Sequence, residues 1–208
     1  MSETGQSTEL PLVLGLAGGV ASGKSAVARV LAEEGWLVID FDAEVQLRLR
    51  EPEVRNTLVA WWGPGILGPD HLVDRKAVAR KVFGNPDERR RLERYLHPLV
   101  WRTKGEARAM AAAAGARGVI FDAPLLYEAG LDAECDAVIF VQAPLALRQA
   151  RAKANRGWEP GELEARESAQ LSLEAKAQRS RFLVDNDGTE AHLSEQVRRI
   201  LATLRSER

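Results

Sequence analysis

Residues Gly18-Gly19-Val20-Ala21-Ser22-Gly23-Lys24-Ser25 have the spacing G-x-x-x-x-G-K-[ST]. That octet works only between a buried strand and the opening turn of a helix. Both neighbours are present: the apolar run Leu12 to Ala17 precedes it, and a helical pattern, Ser25 to Glu34, follows it. Gly18, Gly19 and Gly23 take backbone angles and close approaches that a side chain would block. Successive main-chain N–H groups then converge on an anion at the positive end of the helix. The pattern predicts a bound nucleoside triphosphate, with Lys24 reaching its outer phosphates. Ser25 would offer a hydroxyl to magnesium, which bridges phosphate oxygens and keeps much of its water.

Such a loop implies a parallel sheet, and the rest of the chain agrees. Leu12 to Ala17, Trp36 to Asp40, Gly118 to Asp122, Ala137 to Gln142 and Phe182 to Asp185 read as buried strands separated by helical patterns. Parallel strands need crossovers of about a dozen residues or more, usually helical, so the alternation predicts an α/β fold. The fold class is a P-loop NTPase-type parallel sheet with helices on both faces, interrupted by two helical excursions. Residues 42–115 contain no convincing strand and are punctuated by Glu51-Pro52, by Gly63 to Asp70 and by Asn85-Pro86, which opens a helix at its first turn. Residues 144–181 form the second excursion and are rich in Arg and Lys. By analogy with small-molecule kinases, the first is a substrate-binding insertion and the second a lid. The expected organisation is one domain over 11–208, with its core at 11–41, 116–143 and 182–208, behind a disordered leader, 1–10.

Composition narrows the setting. At 208 residues, with 45% hydrophobic and 28% charged residues, the chain supports one sizeable core, and no apolar run approaches the length of a membrane span. A net charge of −1 provides no general field for nucleic acid. One cysteine, Cys135, excludes an internal disulfide, which makes a reducing cytoplasm the natural home.

Several acids end strands. Asp40 and Asp42 close Val38-Ile39-Asp40-Phe41-Asp42, at the sheet edge that lines ligand crevices in open parallel sheets. Two readings stay open for Asp42, acceptance of a proton from an attacking hydroxyl or capping of the next helix. Asp122 ends Val119-Ile120-Phe121-Asp122, where P-loop proteins present a carboxylate near magnesium; capping is its alternative. Arg148, Arg151, Lys153 and Arg156 share one helical pattern, either a positive cover for the triphosphate or a solvated face. His97, before Pro98, lacks a nucleophile or ligand cluster nearby.

The order of these motifs resembles the dephospho-CoA kinase family from Leu14 to about Leu204. Beyond the loop, the resemblance rests on Val38 to Asp42; on Asp74-Arg75, Val82-Phe83-Gly84-Asn85-Pro86 and Leu96-His97-Pro98-Leu99; on Asp122-Ala123-Pro124-Leu125-Leu126-Tyr127-Glu128; and on Val184-Asp185-Asn186-Asp187-Gly188. It implies transfer of the ATP γ-phosphoryl group to the ribose 3′-hydroxyl of dephospho-CoA, with magnesium and with no protein partner required. It assigns ATP to Gly19, Val20, Ala21, Ser22, Gly23, Lys24, Ser25 and Ala26, with Arg151 over the nucleotide and Asn186 near adenine. Asp42 becomes the general base, Lys24 and Arg151 the catalytic cations, and Ser25 with Asp122 the metal side. Arg75, His97, Pro124 and Leu125 would border the acceptor with Asp42.

The chain departs from that pattern in three places. Asn155-Arg156-Gly157-Trp158 stands where relatives place a second lid arginine before Asp-Gly, so Arg156 is expected to take that duty from a shifted position. Ala21 replaces a common glycine, which is harmless if its backbone angles stay ordinary. Ser180-Arg181 replaces a common Ala-Asp pair and leaves that contact unassigned. A nucleoside or nucleotide kinase of the same fold, or a P-loop switch protein, would share the loop, and the run from Phe83 to Leu99 speaks against the former.

Overall fold

The computed structural model describes residues 10–168 and 170–207. The leader expected over residues 1–10 lies outside them, apart from Leu10. In chain order the elements are β1 (Leu12–Gly18), α1 (Lys24–Glu33), β2 (Leu37–Asp40), α2 (Phe41–Leu49), α3 (Pro52–Trp62), α4 (Arg75–Val82), α5 (Pro86–Val100), α6 (Lys104–Ala113), β3 (Gly118–Asp122), β4 (Ala137–Gln142), α7 (Leu145–Arg156), α8 (Glu162–Glu167), α9 (Leu173–Arg179), β5 (Phe182–Asp185) and α10 (Glu190–Ser206). They fall into two compact units: one gathers the chain up to Ile39 and from Thr103 onward, the other is Asp40–Arg102.

The first unit is built on a five-stranded sheet in the order β2-β3-β1-β4-β5. β1 is its centre and pairs in parallel with β3, Leu16 beside Asp122, and with β4, Gly18 beside Val141. A strand buried on both faces reads as a continuous apolar run, and Val13 through Gly18 are all buried. Alternation along β1 sends Leu14 and Leu16 to one face, where they meet Val27, Val30 and Leu31 of α1 and Leu193, Val197 and Leu201 of α10. Each such aliphatic side chain contributes about 1.5–3 kcal/mol on burial. On the other face Leu126 and Cys135 crowd so closely against Gly15 that a Cβ there would lie 2.9 Å from Leu126. Helix α6, within the stretch 42–115, packs on β3 and β1 with Ala107 and Ala111 fully buried.

The second unit is helical and has its own core, made by Leu49, Val54, Leu58, Ile66, Ala77 and Leu96. Two of its aromatic residues satisfy their polar tips: Trp62 Nε1 donates to Glu88 Oε2 at 2.7 Å, and Tyr95 to Thr57 Oγ1 at 3.1 Å. Proline and asparagine start its helices as their chemistry requires, with Pro52 opening α3 and Asn85 capping α5 through the Glu88 N–H. Pro98 sits inside α5, which runs on to Val100 with one main-chain donor missing. No helix among the described residues is long and apolar enough to cross a membrane.

Candidate active site

The loop between β1 and α1 presents main-chain donors at a helix start that no side chain caps. Gly23 precedes α1 in the left-handed region, φ 93°, and no residue in the first turn of the helix is acidic. The first turn of a helix points main-chain N–H groups outward at its positive end, and with no side-chain cap and no acid in that turn this end of the loop favours an anion. Gly23 must be glycine for a second reason: a Cβ would lie 1.9 Å from Asn186 Nδ2. Lys24 begins α1, its Nζ 3.5 Å from the Gly18 carbonyl, and Ser25 is exposed in the first turn.

Behind the loop stands a set of polar anchors from distant segments. Asn186, just past β5 and buried, donates to the Ser22 carbonyl at 2.8 Å. Arg151 on α7 donates to the same carbonyl at 3.2 Å and to the Asn186 carbonyl at 3.0 Å. Arg148, one turn earlier and 6% exposed, reaches Val20 O, Ala143 O and Glu167. A cavity of about 240 Å³ opens alongside, lined by Gly19, Ser22, Gln142, Arg148 and Glu174 among others, and the buried Ser22 hydroxyl has no partner among the described residues. Asp122 ends β3, half-buried, with Pro124 and Leu125 exposed in the turn that follows.

The Asp122-to-Glu128 segment is tied to the 144–181 excursion. Glu128 Oε1 accepts from Lys176 Nζ and from the Leu171 N–H, both at 2.9 Å, and Lys176 is 1% exposed. Tyr127 shares a 2.6 Å hydrogen bond with Ser180. Burial pushes the Tyr127 phenol above its usual value, against the opposing effect of that bond. Ser180 also donates to the Lys176 carbonyl, and Arg181 donates its N–H to Val138 O, so the residues left unassigned in the sequence hold structural bonds.

In the helical unit, Asp40 rather than Asp42 is the cap: the Ala43 N–H donates to Asp40 Oδ1 at 3.0 Å. The two acids therefore do not continue one extended strand. Asp42 is exposed in the first turn of α2, where a negative charge suits the helix dipole. Arg75 is exposed at the start of α4, after its cap Asp74. His97 is half-buried near the end of α5, and its carbonyl accepts from the Trp101 N–H.

One expectation changes. Ala21 does not keep ordinary angles: its φ is +59°, in the left-handed region that costs an L-residue about 1–2 kcal/mol. Arg156 stacks on Trp158 at 4.8 Å, and Arg166 lies over the same ring at 4.2 Å. Arg166, Glu167 and Lys176 carry no signal in the sequence that marks them, whereas Arg148, a candidate cover for the triphosphate, is instead buried against the loop. Arg148 carried one readable signal, since it shares a helical face with Ala152, four residues on, and both are buried.

Among the described residues there is no cluster of three or more His, Cys, Asp or Glu able to cage a metal. A parallel sheet with a phosphate loop leaving its central strand, an uncapped helix behind it and cationic helices beside it defines a P-loop kinase-type protein. The sequence model of dephospho-CoA kinase matches residues 12–192, and the chain belongs to that family. It is 42% identical over 182 residues to the dephospho-CoA kinase of Symbiobacterium thermophilum, covering 85% of this chain and 74% of that one. It is 40% identical over 202 residues to that of Anaeromyxobacter dehalogenans, covering 94% and 93%. Among solved structures it resembles TT1252 from Thermus thermophilus, with a TM-score of 0.78, 32% identity and coverage of 96% and 98%. The dephospho-CoA kinase of Campylobacter jejuni shares the fold at a TM-score of 0.62 and 19% identity, covering 94% and 98%.

Proposed function

We propose that the chain transfers the γ-phosphoryl group of ATP to the ribose 3′-hydroxyl of dephospho-CoA, releasing CoA and ADP, the last step of coenzyme A biosynthesis. The observation that carries this reading is the uncapped, acid-free start of α1 behind Gly23, in a chain of this family. Phosphoryl transfer leaves little covalent work to a protein, which must position both partners and neutralise charge on the group in flight. Main-chain donors of the loop, Lys24 and Arg151 serve that second need.

Asp42 takes the proton of the 3′-hydroxyl as its oxygen attacks the γ-phosphorus and the bond to the β–γ bridging oxygen breaks. A carboxylate suits this role because the step needs orientation and a proton acceptor rather than a strong nucleophile. Arg75, His97, Pro124 and Leu125 border the acceptor on the same reading. An exposed hydroxyl, Ser25, and a strand-end carboxylate, Asp122, fit magnesium, which takes few protein oxygens and keeps its waters. When bound, the ion neutralises the β- and γ-oxygens. A cytoplasmic setting is supported by the single cysteine.

ADP release measured with ATP and, in turn, dephospho-CoA, adenosine or nucleoside monophosphates tests the proposal. Turnover dependent on dephospho-CoA is expected. Equal or greater turnover with a simple nucleoside or nucleotide, or ATP binding with no turnover at all, overturns it.

A further inference from the structure

We propose that the ion pair between Arg148 and Glu167 is a positioning device for the phosphate loop, gripping the main chain of Val20 from both sides. Glu167 Oε1 accepts from the Val20 N–H at 2.8 Å, and Arg148 Nη1 donates to the Val20 carbonyl at 3.4 Å. The two side chains are joined at 2.5 Å, with 7% and 17% of their surfaces exposed. Arg148 is braced from behind by its Nε bond to the Ala143 carbonyl, one residue past β4.

The same pair explains the second glycine of the loop. A Cβ on Gly19 would lie 2.9 Å from Arg148 Nη1 and equally close to Glu167 Oε1. The charged groups lie directly against the main chain, and any side chain would lift them away. Arg148 belongs to α7 and Glu167 ends α8, so the grip transmits the position of both helices to the loop.

A loop that binds phosphate through main-chain donors works best if those donors are already oriented, because ordering them on binding costs affinity. Holding the Val20 peptides fixes the path of the chain on either side, through Gly19 and Ala21. Glu167 brings negative charge close to an anion site, and Arg148 compensates it on the spot. A carboxylate that only imitates phosphate would have to leave when ATP arrives. Its departure would strand a guanidinium in a site that is 7% exposed, at a high desolvation cost. The geometry therefore favours a permanent brace over a displaceable stand-in.

This inference rests on the nucleotide-binding half of the proposed function, and its test needs no acceptor. ATP dissociation constants are measured by calorimetry for the unaltered chain, Glu167→Ala and Glu167→Gln, together with KM for ATP and for dephospho-CoA and the urea midpoint of each. Glu167→Ala is expected to weaken ATP binding about tenfold, the scale of one charge-assisted hydrogen bond, while KM for dephospho-CoA stays within about twofold. Glu167→Gln keeps an acceptor oxygen for the Val20 N–H and should recover part of the loss. Unchanged ATP affinity in folded Glu167→Ala reduces the pair to a structural contact and overturns the proposal. Tighter ATP binding also overturns it, since the carboxylate would then have been competing with phosphate. If Glu167→Ala does not fold, folded Glu167→Gln decides: ATP binding weakened about threefold supports the brace, and affinity equal to or tighter than that of the unaltered chain rejects it. Failure to turn over dephospho-CoA with ATP binding intact would sink the assigned activity and leave this comparison standing.

Discussion

The side-chain amide of Asn186 donates to the carbonyl of Ser22 at 2.8 Å, in the space that a Cβ on Gly23 would occupy. The last strand of the sheet thus holds the phosphate loop through one buried hydrogen bond. Asn186→Ala leaves the Ser22 carbonyl with Arg151 alone and is expected to cost about 1–3 kcal/mol in stability. ATP affinity should fall with it. Gly23→Ala should be worse on both counts, because the new methyl meets Asn186 and the backbone is left-handed there. Urea unfolding and ATP titration of the two variants check the order.

Asp42 is exposed in the first turn of α2 and carries no capping duty, since Asp40 performs it. Asparagine keeps the shape of the side chain and leaves the Asp40 cap in place, so Asp42→Asn should fold. As the proposed general base, it should lose on the order of 10²-fold or more in kcat while ATP affinity stays nearly intact. Steady-state kinetics beside an ATP titration decide, and equal kcat in the two proteins retires the assignment.

Ala21 sits at φ +59° in the middle of the loop. Glycine adopts that angle without strain, although it raises the entropy of the unfolded chain. The strain term is larger, so Ala21→Gly should gain about 1 kcal/mol, read as a higher urea midpoint. A lower midpoint would show that the methyl group makes contacts worth more than its strain.

Asp136 accepts from the Val13 N–H at 2.8 Å and from Arg108 at 3.0 Å, and it pairs with Lys104. Burial pushes its carboxyl upward, but Lys104, the Val13 N–H and Arg108 together outweigh burial and hold it below its ordinary value. A carboxyl depressed in the folded state adds stability that is complete above its unfolded value, about 3.9, and is lost as the pH falls through the folded value. Asp136→Asn should be less stable than the unaltered chain at pH 7, and the gap should narrow below about pH 4. Thermal unfolding of both across pH 7 to 2 measures this, and a gap that widens with acid contradicts the assignment.

The sheet and the loop were legible because their signals are local. The strands Gly118 to Asp122, Ala137 to Gln142 and Phe182 to Asp185 lie where their apolar runs are, and a phosphate loop is a statement about consecutive main-chain groups. The braces behind the loop were not legible. Arg148 with Glu167, and Lys176 with Glu128, are partners brought together only by the packing of distant segments, and no local pattern in the sequence pairs them. Asp40 and Asp42 show the intermediate case. Either acid could cap the helix that follows the strand, and the choice turns on a two-residue shift of helix start that propensity does not resolve.

The central place of β1 has a consequence for how the molecule is born. Its Leu12 lies beside Gly118 and its Leu14 beside Ala137, so the strand leaves the ribosome long before either neighbour exists. Pairings so distant along the chain form slowly. Until residues near 140 emerge, a nascent polypeptide carries this greasy ribbon unsheltered, and a message truncated before that point yields a fragment prone to clumping and dependent on chaperones.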